Sequence, residues 1–174
     1  MRKMGMEAIY PRKRTTIPGG PSGIYPYRLK GLAITSPNQV WSADITFIPM
    51  RRGYMYLFAI IDWHSRKIID WELSNTLDLS FCLDCMKRAV KHSGPPEIMN
   101  TDQGCQFTSD QWISYLKQNK ITISMDGKGR WLDNVAIERF WRSIKYEDIY
   151  LKSYETAREL ARGIKSYIIR YNQY

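Results

Sequence analysis

A chain of 174 residues with 44% hydrophobic side chains, six Trp and twelve Tyr is long and apolar enough to bury one substantial core, which excludes a chain disordered throughout its bulk. Its net charge of +9 and pI of about 9.5 point to a polyanionic partner. Three cysteines, Cys82, Cys85 and Cys105, are too few for a disulfide framework, and no apolar run approaches the roughly 18 residues of a membrane span; the expectation is a soluble protein of a reducing cytoplasm with no membrane partner.

The first 36 residues read as a basic, Pro/Gly-rich arm. Prolines 11, 18, 21 and 26 alternate with glycines 19, 20, 23 and 31, a density that denies the backbone a regular ladder. Seven basic residues in 1–30 face only Glu7, and the triplet Arg12, Lys13 and Arg14 is a candidate phosphate contact. From residue 37 onward the pattern is that of one catalytic-type core. Residues 40–48 alternate as a strand, with Trp41, Ala43, Ile45 and Phe47 on an apolar face and Ser42, Asp44 and Thr46 on a polar one. Residues 54–63 form an apolar and aromatic run, as in a strand buried on both faces, and 67–73 form a third strand. The short connections around Gly53 and Ser65 predict an antiparallel meander.

A helix follows from Asp78 to about His92, ended by Gly94-Pro95-Pro96. A short strand over 97–101 ends at Asp102; then come a helix over 110–119, a strand over 121–124 and a glycine-punctuated loop over 126–133. Two long helices, 134–150 and 154–171, close the chain. The order βββ-α-β-α-β-α-α predicts an α/β fold: a mixed five-stranded sheet flanked by helices.

Three carboxylates carry the chemistry. Asp44 lies mid-strand, Asp102 follows a short strand and Glu138 lies in an amphipathic helix, with 57 residues between the first two and 35 between the second pair. Each has an ordinary explanation by itself: a solvated strand face, a loop aspartate, a surface glutamate paired with Arg142. In the proposed topology, however, the first and fourth strands are neighbours and the late helix reaches them. Two carboxylates about 4 Å apart repel by roughly 4 kcal/mol at an effective dielectric near 20. Such a cluster calls for cations, and hard divalent ions accept oxygen ligands while leaving positions open for phosphate.

The segments NQVWSADITFIPM, YLFAIIDWHSRKIIDWELS, NTDQGCQFTS and WLDNVAIERFWRSIKYE occur in this order. Together they resemble the catalytic core of bacterial insertion-sequence transposases of the DDE class, relatives of retroviral integrases. That resemblance implies an RNase H-like fold and assigns Asp44, Asp102 and Glu138 as catalytic, metal-binding acids for Mg²⁺ or Mn²⁺, two ions in number. It further implies strand cleavage at transposon ends followed by attack of a 3′-hydroxyl on target DNA, by a homo-oligomer in the bacterial cytoplasm in association with the nucleoid. The family's basic residue falls on Lys145, two helical turns after Glu138 and on the same face. Arg142 joins it as a candidate DNA contact. In the 126–133 loop, Lys128 and Arg130 are candidate phosphate contacts, and Trp131 is either a base-stacking residue or a core anchor. The alternative to an active enzyme is a truncated remnant that binds DNA or full-length transposase, because the upstream helix-turn-helix region and a basic continuation are expected and absent from these residues.

Two further constellations have structural readings. Cys82 and Cys85 have zinc-like spacing but no second ligand pair, so they are expected as small buried hydrophobes. Asp62 is expected to cap the turn before His64, with extension of the acidic cluster as its alternative.

Overall fold

A computed structural model describes residues 23–127 and 134–173. Five strands form one sheet: β1 (Val40–Pro49), β2 (Tyr54–Asp62), β3 (Ile68–Ser74), β4 (Ile98–Thr101) and β5 (Thr122–Met125). Their spatial order is β3-β2-β1-β4-β5, antiparallel through the meander and parallel from β1 to β4 to β5. The helices are α1 (Leu79–Ser93), α2 (Asp110–Gln118), α3 (Val135–Ile144), the short α4 (Tyr150–Lys152) and α5 (Ala157–Tyr171). Between α3 and α4 lies a π-helical turn, Lys145–Ile149.

Strand parity divides the core in two. Trp41, Ala43, Phe58, Ile60, Met99 and Ile123 face α1 and α2, where Cys82, Cys85 and Met86 meet Trp112 and Leu116. Both cysteines behave as buried hydrophobes; burial pushes the Cys82 thiol up to about 12 and Cys85 well above its ordinary value. On the opposite face Ile48, Leu57, Ala59 and Ile61 pack against Ile137, Phe140, Trp141 and Ile144 of α3 and Leu160, Ile164 and Ile168 of α5. The polar side of β1 is therefore covered rather than solvated: Ser42 is fully buried and Asp44 partly so. Phe47, expected in the apolar face, is 52% exposed, because β1 outruns its helical cover there. Its ring rests edge-on against Tyr56 at 5.1 Å.

The hairpins close as the sequence suggests. Met50 donates to the Gly53 carbonyl at 3.0 Å, with Gly53 at φ +81°, a conformation that glycine adopts without a steric penalty. Asp62 is 1% exposed and caps the second turn, accepting from the backbone N–H of Asn38 (2.9 Å) and of Ser65 (2.7 Å) and from the Ser65 hydroxyl (2.7 Å). Its cross-strand partner is Trp41, so its side chain leaves the sheet on the face opposite Asp44. The segment after Gly23, within the expected arm, lies along β5: Tyr25 and Arg28 donate their backbone N–H groups to Met125 Sδ and Ser124 Oγ, and Leu29 is buried.

The last helices differ from the expectation of two uninterrupted ones. Ile137, Phe140, Trp141 and Ile144 keep helical spacing, but the next buried apolar residue is Ile149, five residues on. A π turn absorbs that extra residue and keeps both isoleucines in the core. It also turns Asp148 inward, where it is 1% exposed and accepts from Lys152 Nζ (2.8 Å) and the Tyr154 hydroxyl (2.7 Å). Ser153, at φ +46°, ends α4, and α5 restarts only at Ala157 behind a capping box between Thr156 and Glu159, worth about 1 kcal/mol. Gly163 on α5 lies directly against the Tyr154 ring, so an added Cβ would collide with it. Gly163→Ala is expected to push Tyr154 away from Asp148 and lower stability by about 1–3 kcal/mol, the usual cost of overpacking. Thermal melts check it, and an unchanged midpoint would contradict the packing described.

Candidate active site

The parallel ladder between β1 and β4 pairs Val40 with Ile98, Trp41 with Met99 and Ser42 with Asn100. Continuing that offset by two residues sets Asp44 beside Asp102, just past the end of β4. Asp44, Thr46 and Ile48 share the β1 face that meets α3 and α5. From α3, Trp141 Nε1–H donates to Asp44 Oδ2 at 2.9 Å. Asp44 Oδ1 accepts from the backbone N–H of Ile45 at 2.7 Å. One turn further along, Lys145 Nζ donates to Thr46 Oγ1 at 2.6 Å.

The charges of the other two acids are felt at Asp44. The Asp44 carboxyl is held above its ordinary value, chiefly by burial. The two N–H donors from Trp141 and Ile45 oppose that rise, while the negative charges of Asp102 and Glu138 add to it. Burial pushes the Lys145 ammonium down, and the charge of Asp44 draws it part of the way back. Asp44 is thus the buried member of the group, whereas Asp102 and Glu138 are exposed at its mouth. Asp102 is fixed locally, since Oδ1 accepts from Gly104 N–H at 2.9 Å, and a Cβ on residue 104 would stand 2.9 Å from the same oxygen. A larger residue there would displace the Asp102 carboxylate from this position.

Glu138 forms no ion pair with Arg142 among the described residues, and Arg142 is exposed. That leaves the surface-pair explanation of Glu138 without its bond. Arg12, Lys13, Arg14, Lys128, Arg130 and Trp131 lie outside the described residues. Among the described residues, no three His, Cys, Asp or Glu side chains stand close enough together to hold one ion. The chemistry of the donor set nonetheless fits a hard divalent cation: the groups are all carboxylates, and two of them repel the third. A cavity of about 660 Å³ between the β2–β3 turn and the end of α5, lined by Arg66, Lys67, Glu147 and Arg170, shares no residue with this group.

Three residues of the site were not anticipated. Trp141 and Thr46 touch the acids or their basic neighbour, and Gly104 fixes Asp102. The sequence signals were present but weak: Trp141 stands three residues after Glu138, Thr46 two residues after Asp44, and Gly104 two after Asp102.

The integrase core domain sequence model matches residues 34–130, and a second integrase core domain model matches 119–174. The chain belongs to the integrase core domain family. It is 39% identical over 139 residues to the transposase for insertion sequence element IS904 of Lactococcus lactis, a match covering 79% of this chain and 55% of that protein. Against transposase InsF for insertion sequence IS3A of Escherichia coli the identity is 30% over 176 residues, covering 94% of this chain and 58% of the relative. The chain spans little more than half the length of these curated relatives.

Among solved structures, the catalytic core domain of HTLV-2 integrase in complex with magnesium matches with a TM-score of 0.53 at 21% identity, over 63% of this chain and 68% of that one. A chain of the simian T-cell lymphotropic virus intasome in complex with PP2A regulatory subunit B56 gamma matches with a TM-score of 0.59 at 21% identity, over 72% of this chain and 42% of that one. These likenesses establish the RNase H-like fold of integrase cores. No helix among the described residues is long and apolar enough to cross a membrane.

Proposed function

We propose that this chain is the catalytic core of a DDE transposase that cleaves DNA and transfers the cut strand, with Asp44, Asp102 and Glu138 as ligands for Mg²⁺ or Mn²⁺. The observation that carries the reading is the strand register that sets the half-buried Asp44 beside Asp102, just past β4, with the charges of Asp102 and of Glu138 from α3 both opposing its ionisation. A fold tolerates such mutual repulsion when cations neutralise it. Bound divalent ions supply Lewis acidity that activates the attacking oxygen and stabilises the leaving one.

The chain's own residues divide the remaining work. Asp44 presents oxygens already oriented by two N–H donors, and Asp102 and Glu138 complete the donor set from the more open side. Lys145, poised on Thr46 above the same strand, meets a DNA phosphate next to the scissile one. Arg142, the loop residues Lys128, Arg130 and Trp131, and the triplet Arg12, Lys13 and Arg14 extend the contact along the DNA backbone. DNA is the partner in this reading, and copies of the chain act together as a homo-oligomer on transposon ends and target.

A nicking assay on supercoiled DNA tests the proposal. The wild-type chain is expected to nick with Mg²⁺ or Mn²⁺ and to stop with chelator, and Glu138→Gln to fall to background. Equal nicking by both proteins, or none by either, would leave the chain as a DNA- or transposase-binding remnant without catalysis. Binding that merely weakens with salt does not separate the two readings, since both rest on phosphate contacts.

A further inference from the structure

We infer that Trp141 is a positioning residue of the active site, whose indole N–H fixes the plane of the Asp44 carboxylate. The inference deepens the transposase reading and rests on it for the catalytic consequence, though not for the contact itself. A carboxylate on a strand rotates about its terminal bond, and each rotation changes the direction its lone pairs offer. Here two donors act on different oxygens. Ile45 N–H holds Oδ1 at 2.7 Å and Trp141 Nε1–H holds Oδ2 at 2.9 Å. One donor would leave a hinge; two from opposite sides set the plane. Each oxygen keeps a second lone pair for another ligand.

The donor is itself rigid. Trp141 is 7% exposed and packs on Phe140 with ring centroids 5.1 Å apart, within the cluster that contains Ile48, Leu57 and Ala59. Ala59 stands directly across from Asp44 on β2. Its methyl group alone occupies that position, which leaves room for a bicyclic side chain over the strand. Helical spacing explains the choice of position. Glu138, Trp141 and Lys145 fall at i, i+3 and i+7, so one stripe running from α3 into the π turn delivers the indole donor to Asp44 and the ammonium to Thr46, with Glu138 on the same side. An indole suits the place of the donor: it carries one N–H, no acceptor and no charge that competes with the acids. Groups that orient a ligating carboxylate or imidazole typically contribute 10–100-fold to metal affinity or activity.

Two measurements test this. In the wild-type chain the indole N–H resonance of Trp141, assigned by its loss in Trp141→Phe, is expected to lie downfield and to move in Asp44→Ala. A resonance that ignores Asp44→Ala overturns the contact, whatever the enzyme does. The second measurement replaces the indole by benzothiophene, which keeps the ring and removes the N–H, so packing survives. The expected result is a fall of roughly tenfold in kcat with a matching rise in half-saturating Mn²⁺, and an unchanged KM for DNA. Kinetics within twofold of wild type overturn the positioning role. If the wild-type chain shows no metal-dependent cleavage, the transposase reading fails and the positioning role falls with it, while the resonance still decides whether Trp141 holds Asp44.

Discussion

Asp44→Asn is expected to abolish metal-dependent DNA cleavage while making the metal-free protein relatively more stable as pH rises. The catalytic half follows from the ligand set. Losing the buried carboxylate removes Lewis-acid stabilisation worth several kcal/mol, a rate loss of about 10³-fold or more at 1.36 kcal/mol per decade. The stability half follows from the direction of the Asp44 shift. Its folded-state proton affinity is raised above the ordinary 3.8 by burial and by the charges of Asp102 and Glu138. The folded wild type therefore binds a proton more tightly than the unfolded chain. That contribution is fully present below 3.8 and is lost as pH rises through the higher folded value. Asparagine has no such loss. Its amide strands one of the two N–H donors now held by Asp44, a constant cost that does not change with pH. The difference in melting temperature, mutant minus wild type, should thus grow from pH 3.5 to neutrality. Adding Mn²⁺ should reverse it, because only wild type gains binding energy from the ion. A pH-independent difference, or equal stabilisation of both proteins by Mn²⁺, would remove Asp44 from the metal site.

How much of this was legible in the sequence depends on the kind of information each feature needs. Alternation over 40–48 placed Asp44 on a strand, and chain order alone made β1 and β4 neighbours, because a parallel partner for β4 is reached across α1. Those two facts bring Asp44 and Asp102 together, whereas Glu138 joined them through the resemblance to DDE transposases. Parity, however, says which residues share a face and nothing about what covers it. The Ser42, Asp44 and Thr46 side looked like a solvated face, yet α3 and α5 close over it. The consequence is chemical: coverage desolvates Asp44, puts the Trp141 indole within hydrogen-bond distance of it and sets Lys145 on Thr46. Trp141 read as one more aromatic on an amphipathic helix, since apolar rings at helical spacing are usually core, and this ring is core as well as donor. The π turn was hidden for a different reason. A helical pattern tolerates one irregular step, and the five-residue gap from Ile144 to Ile149 becomes visible only when both are known to be buried.

Asp62→Ala is expected to destabilise the fold by about 3 kcal/mol without selectively affecting the metal site. Three donors converge on this buried carboxylate, two of them backbone N–H groups. Each such group left unsatisfied costs about 1–3 kcal/mol. The damage also reaches beyond the turn. Asn38, held by Asp62 through its own N–H, sits at φ +62°, accepts from the Trp41 indole at 3.0 Å and donates to the Ser93 carbonyl at 3.0 Å. Removing Asp62 therefore loosens the start of β1 and the end of α1 together. For a domain of this size the midpoint should fall by roughly 6–12 °C, at about 2–4 °C per kcal/mol. Ser65→Ala, which deletes only the hydroxyl donor, should cost about 1 kcal/mol. The half-saturating Mn²⁺ concentration of the folded Asp62→Ala protein should stay at the wild-type value, because the side chain leaves the sheet on the face away from Asp44. A large change in metal dependence with an unmoved melting midpoint would return Asp62 to the acidic cluster and refute its role as a turn cap.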